Sequence, residues 1–244
     1  MSAETGAPKH LLDAHPETAY FWGRVIGDGG VTTESVTVRT NDEVAADRLA
    51  AIAGSENDGG ESSEKRAGGA ERRHANSASI DHRTEERDYA HDTSITRTED
   101  TYTVQLHGPV GDRAAAAFGL PLDGGSGGYR LDALADHDRQ LLRGLLEGCG
   151  TVCFKSSSGT VGISFVHDDR KLLERVRGLL GSAAVDAPCG GLSETSSGGY
   201  WFGIDDSAAP AVGEWLYAGS DATELFAPSR RRKLQRSIEE AEAY

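Results

Sequence analysis

A glycine framework occurs twice in this chain, 121 residues apart, and it limits the folds open to the sequence. Phe21-Trp22-Gly23-Arg24-Val25-Ile26-Gly27-Asp28-Gly29 aligns without gaps on Leu142-Arg143-Gly144-Leu145-Leu146-Glu147-Gly148-Cys149-Gly150. Both copies read apolar, x, Gly, x, apolar, x, Gly, x, Gly. An internal repeat of this length marks duplicated architecture. Each copy closes an expected helix, the first beginning near Pro16, a favoured first-turn residue, and the second near Asp136, a good N-cap. β-prone sequence follows: Val31 to Thr40 in the first half, Thr151 to Lys155 and Thr160 to Val166 in the second. Second helices are expected to start at Asn41-Asp42 and Asp168-Asp169 and to stop at Gly54 and Gly181, each thirteen residues after its presumed cap, Asn41 or Asp168. Thr93 to Leu106 alternates about a polar Glu-Asp centre and reads as a hairpin, and Tyr200 to Ile204 reads as a strand. Helical segments follow at about 111–118 and 208–217, and a final amphipathic helix is expected over 230–243. Each half is therefore helix, strands, helix, strands, helix, an α+β arrangement. The halves divide at about 1–134 and 135–244.

Gly23 and Gly27 are four residues apart, as are Gly144 and Gly148, so each pair lies on one helix face. Small residues there let two helices meet backbone to backbone. Pairing these two would bring their C-termini together and set residues 28 and 149 side by side. Two acids meeting at such a place could share divalent metal and hydrolyse a phosphodiester. The second position, however, is a cysteine.

From Ser55 to about His91 the sequence is dense in charge, Gly and Ser and poor in large apolar residues, and a disordered insertion is expected. His74, His82 and His91 within it have no compact metal-ligand spacing. Cys149, Cys153 and Cys189 are too few, and odd in number, for a disulfide framework. Nor does a second Cys/His pair stand at zinc spacing beside Cys149 and Cys153. The formal charge is −14, and the 25 basic residues comprise five lysines and twenty arginines. That balance resembles proteins that work in molar salt, where charge is screened over a few ångströms. Acidity then argues only weakly against nucleic acid, and a contact would rest on shape and base edges more than on bulk charge. No apolar run is long enough for a membrane helix and no secretory signal opens the chain, so a cytoplasmic protein is expected.

The repeated framework resembles the LAGLIDADG, or dodecapeptide, homing-endonuclease family. Its eighth letter, the family's catalytic metal-binding acid, falls on Asp28 in one copy and on Cys149 in the other. Trp215-Leu216-Tyr217, Ala222-Thr223-Glu224-Leu225 and Arg230-Arg231-Arg232-Lys233 resemble the close of a repeat, and Phe118-Gly119-Leu120-Pro121 with Tyr129-Arg130-Leu131 resembles the segment between repeats. Arg24 and Ile26 are unusual at their letters. The resemblance implies two pseudo-symmetric repeats in one chain, paired through their glycine helices, Mg²⁺ at Asp28 if the protein cleaves, and a double-stranded DNA partner, with RNA as the alternative. It implies a catalytic or phosphate-contacting role for Arg130, against an ordinary surface ion pair, and DNA contacts from Arg39 and Lys155 on the first strands, against solvated strand residues. The Arg230 to Lys233 run reads more readily as a solvated helix face. Glu147, about 200° around the helix from Cys149, is expected to point away from Asp28.

Cysteine supplies no hard oxygen to Mg²⁺, so symmetric double-strand cleavage is not expected. The leading expectation is a monomer that binds DNA in a sequence-specific way with impaired or nicking-only cleavage. The alternatives are an active homing-type endonuclease, and a non-catalytic scaffold reused as a regulator, as in WhiA-type proteins, or for protein contacts.

Overall fold

The computed structural model describes residue 8 and residues 10–55, 77–89 and 92–244. Most of the expected insertion, with His74 and His91, lies outside the described residues. The repeat pattern translates into two helices that cross at their glycines. Helix α1 (Pro16–Asp28) starts where proline presets the first turn, and His15 caps it by accepting the Glu17 N–H. Helix α4 (Asp138–Cys149) follows a 3₁₀ segment at Leu131–His137, so the second helix starts two residues later than Asp136 suggested. Extra apolar packing explains the delay, because Leu131 and Leu134 are fully buried and hold the segment in tighter turns.

Each half then builds its own antiparallel sheet. Strands β1 (Gly29–Val31) and β2 (Ser35–Thr40), β3 (Ser77–Tyr89) and β4 (Asp92–His107) stand in the order β1-β2-β4-β3. Strands β5 (Gly150–Lys155), β6 (Thr160–His167), β7 (Ser193–Glu194) and β8 (Tyr200–Gly203) stand in the matching order β5-β6-β8-β7. Helices α2 (Glu43–Gly54) and α5 (Arg170–Ser182) are capped by Asp42 and Asp169, each one residue beyond the expected cap. The shift is the same in both halves, so the repeat survives it. Helices α3 (Val110–Phe118) and α6 (Ala209–Tyr217) close the repeats, and a short α7 (Ser220–Thr223) leads into α8 (Pro228–Glu242).

The hairpin differs from the sequence expectation. Residues 77–89, placed in the disordered insertion, form a strand that pairs with nearly all of 92–107, from Ser77 opposite His107 to Arg87 opposite Arg97. The 93–106 segment is thus one strand and not a hairpin by itself. Antiparallel pairing is satisfied by backbone groups alone, and a ribbon that reaches into solvent needs no apolar alternation, so polarity concealed the strand. Stacking of His82 on Tyr102, with ring centroids 4.5 Å apart, and bonds from Thr84 and His82 to Asp100 (2.8 and 3.1 Å) reinforce it.

One face of each sheet lies on the core. Val36, Val38, Val104 and Leu106 are buried in the first, and Val152, Ile163, Phe165 and Phe202 in the second, in one continuous cluster with both central helices. The opposite faces are open on the side where α1 and α4 end. Among the described residues no helix is long and apolar enough to cross a membrane.

Candidate nucleic-acid interface and cleavage centre

At the helix crossing, a Cβ placed on Gly23 would fall 2.3 Å from the Leu141 carbonyl oxygen, and one on Gly144 2.4 Å from that of Tyr20. At the C-terminal end, a Cβ on Gly27 would lie 3.0 Å from the Cys149 nitrogen, and one on Gly148 3.1 Å from the Asp28 nitrogen. The four glycines therefore let the backbones touch, and the two terminal positions meet across the pseudo-two-fold.

Asp28 sits at the negative end of the α1 dipole, an adverse place for a carboxylate unless cations surround it. They do. Restricted hydration raises its carboxyl above the ordinary aspartate value, while Arg24, Arg39, Arg230 and His167 pull it back down. A cavity of about 650 Å³ opens beside it, lined among others by Arg24, Arg39, Arg230 and Lys233. Arg24 is buried, donating to the Arg39 carbonyl oxygen at 2.6 Å, with its other terminal nitrogen 3.8 Å from Glu147. Arg230 and Lys233 come from the first turns of α8, where the Ser229 N–H donates to Asp42 at 2.8 Å and ties that helix end to the first repeat. The cavity also carries acids: Glu99 and Asp100 from the ribbon, and Glu147.

Glu147 departs from its expected direction, since it lines the same cavity as Asp28 with the Arg24 guanidinium nearby. Its angle about its own helix does not fix where a crossing helix lies. It is fully committed, accepting the Tyr20 hydroxyl at 2.7 Å and the Ala227 N–H at 2.9 Å, and burial raises its carboxyl above the usual glutamate value. This acid joins the two repeats and α8.

The equivalent position of the second repeat, Cys149, carries no charge. Burial pushes the Cys149 thiol up to about 12, and its Sγ donates to the Leu145 carbonyl at 3.4 Å. It is a neutral thiol, not a thiolate. Aligning the helix caps Asp42 and Asp169 sets Arg39 opposite Val166, and the helix repeat sets Arg24 opposite Leu145. A second cavity, about 500 Å³, has no lysine or arginine on its walls. His167, Asp168 and Asp169 line it, and Tyr129 donates to Asp169 at 2.9 Å.

The remaining sequence candidates separate. Arg39 is exposed beside Asp28. Lys155 is at the far end of β5, paired with Asp206 at 2.5 Å. The Arg130 guanidinium donates to the Ala116 carbonyl oxygen, at the end of α3. Sequence reading missed Arg24 and gave Arg230 and Lys233 to solvent; an arginine unusual at its letter of the family motif was the available signal. Among the described residues no three His, Cys, Asp or Glu side chains gather where they could hold a metal ion. Asp28 is the one acid at the paired helix ends, because Cys149 offers no hard oxygen, so these two positions do not fit a pair of ions shared between two acids.

An α+β pseudo-dimer with paired glycine helices and one acid at their common end defines a class, that of single-chain LAGLIDADG proteins. The family model described as "Putative archaeal homing endonuclease", of the LAGLIDADG group, matches residues 1–75 and 68–244, and the chain belongs to that family. Among solved structures it is similar to the homing endonuclease I-WcaI bound to its DNA recognition sequence, at 10% identity over 91% of this chain and 87% of that one, TM-score 0.53. It is also similar to mesophilic variants of the homing endonuclease I-DmoI (14% identity, 84% and 96% covered, TM-score 0.49). Full-length DUF199/WhiA from Thermatoga maritima matches at 10% identity over 95% of this chain and 64% of that one, TM-score 0.48. No curated protein matches the sequence.

Proposed function

We propose that this protein binds double-stranded DNA across the open faces of its two sheets and, with Mg²⁺, cleaves one strand only, at Asp28. The observation that carries this is the charge difference between equivalent positions: Arg24, Asp28 and Arg39 in the first repeat against Leu145, Cys149 and Val166 in the second. A phosphate entering the first cavity meets Arg24, Arg39, Arg230 and Lys233, which orient it and hold the charge that develops on its oxygens. Asp28 would hold the ion, which supplies a polarised phosphate and an activated water. A phosphate over Cys149 meets a neutral thiol where the first repeat offers a carboxylate, and the second cavity has no arginine or lysine on its walls. The second reading is binding without cleavage, favoured by the absence of a three-ligand cluster among the described residues.

Nucleic acid recovered with the protein at near-molar potassium is sequenced, and the enriched site is tested for Mg²⁺-dependent cleavage. Nicking of one strand by the wild type, loss of it in Asp28→Asn and gain of double-strand cutting in Cys149→Asp are the expected results. A defined site bound but never nicked favours the binding-only reading. Wild-type cutting of both strands would show the fully active alternative, and enrichment of RNA or of nothing would overturn the DNA assignment.

A further inference from the structure

We infer that the second sheet reads its DNA half-site through thymine methyl groups, with Val166 and Trp201 as the contacting side chains. The inference rests on the DNA reading above and adds the base chemistry of one half-site. Among the described residues five large apolar side chains are strongly exposed, and only Val166 (43%) and Trp201 (42%) stand directly opposite each other on neighbouring strands. Both project from the open face of the second sheet, while the neighbouring Phe165 and Phe202 stack on the core side at 5.3 Å and fix the pleat. Trp201 lies beside Gly203, where a Cβ would come within 3.8 Å of the indole. The rest of the face is small or neutral, and Lys155, its cation, is engaged by Asp206.

The first sheet is built differently. Arg39, Thr103 and Asp81 lie in one cross-strand row of its open face, and Thr37, Gln105 and Ser79 in the next. Every one of those side chains donates or accepts hydrogen bonds. Position 166 is the counterpart of position 39 across the pseudo-two-fold, so a duplex lying across both open faces passes over Val166 and its cross-strand neighbour Trp201. Strands that enter the major groove meet base edges there, and the only apolar group on those edges is the C5-methyl of thymine. An apolar pair can distinguish that group and little else. Two side chains of this size are also far short of the roughly 800 Å² per partner that a stable protein interface buries, which argues against a second copy as the occupant.

The test uses a duplex of about 24 base pairs selected by the full-length protein from a randomised library, with binding measured without Mg²⁺. Deoxyuridine replaces every thymidine in one half-site at a time, removing methyl groups and leaving every hydrogen-bonding edge. Affinity should fall about fourfold per contacted methyl in one half and stay within twofold in the other. In Val166→Thr/Trp201→Gln the deoxyuridine penalty should vanish, with the thermal midpoint showing that the variant is folded. Equal affinity for thymidine and deoxyuridine duplexes in both halves overturns the inference while leaving DNA binding intact, and so does a penalty that persists in the variant. Failure to select any duplex overturns the DNA reading and this inference together.

Discussion

Asp28 and Cys149 occupy the same place in two copies of one element, and the protein treats them oppositely. The thiol is held neutral by burial, whereas the carboxylate is surrounded by arginines that offset its poor hydration only in part. A carboxyl whose folded-state value is raised destabilises the fold when ionised. The penalty is therefore present at neutral pH and disappears as pH falls through the raised value, where the folded state takes up the proton. Asp28→Asn should accordingly raise the thermal midpoint at pH 7 by roughly a few degrees, and the difference should close below the ordinary carboxylate range. A lower midpoint for the variant at pH 7 would mean that the arginines, not hydration, dominate at this position. Asp28 was legible in the sequence because its distance from three glycines is fixed. Arg24 was not, since its meaning depends on a carbonyl at position 39 and an acid at position 147, neither within reach of any local pattern.

The glycine seam is the element that makes the fold, and it reverses an ordinary propensity. Alanine is favoured over glycine inside a helix by about 1 kcal/mol. At Gly178 in α5, where an added Cβ would meet nothing within 4 Å, Gly178→Ala should stabilise the protein by about that amount. At Gly144, where the same atom would strike the Tyr20 carbonyl at 2.4 Å, Gly144→Ala should cost about 3 kcal/mol or more, measured by denaturant unfolding. Similar effects at both sites would contradict close contact of α1 and α4. The glycine helices and the second helices were readable because each depends on spacing or on capping chemistry near in sequence. Even the one-residue error in both caps arose locally, since Asn41-Asp42 and Asp168-Asp169 each offer two capping side chains and packing selects the second. The strand at 77–89 was hidden for the opposite reason: its partner is β4, and polar residues on a solvated ribbon leave no periodic trace.

Across the whole molecule, the net charge of −14 opposes a polyanion, while the cations that matter are concentrated at one cavity. Outside it many basic groups are already engaged: Arg175 with Asp132, Arg231 with Asp221, Arg48 with Glu17 and Lys155 with Asp206. Arg143 is buried, donating to the Leu216 and Leu225 carbonyl oxygens at 2.6 and 2.8 Å, and so is unavailable to a phosphate. If Arg24, Arg39, Arg230 and Lys233 supply the phosphate contacts, the number of counterions released on binding is about four, and log affinity should fall against log salt with a slope near −3.6. A protein that spread its contacts over a basic surface would show a much steeper dependence. A slope that shallow would let an acidic protein hold DNA at high salt, because little of the affinity would be electrostatic to begin with. Titration of the selected duplex across potassium concentrations measures the slope directly, and Arg39→Ala should reduce its magnitude by about one. A slope steeper than about −6 would show that cations outside this cavity carry the binding, and the single charged centre would no longer account for it.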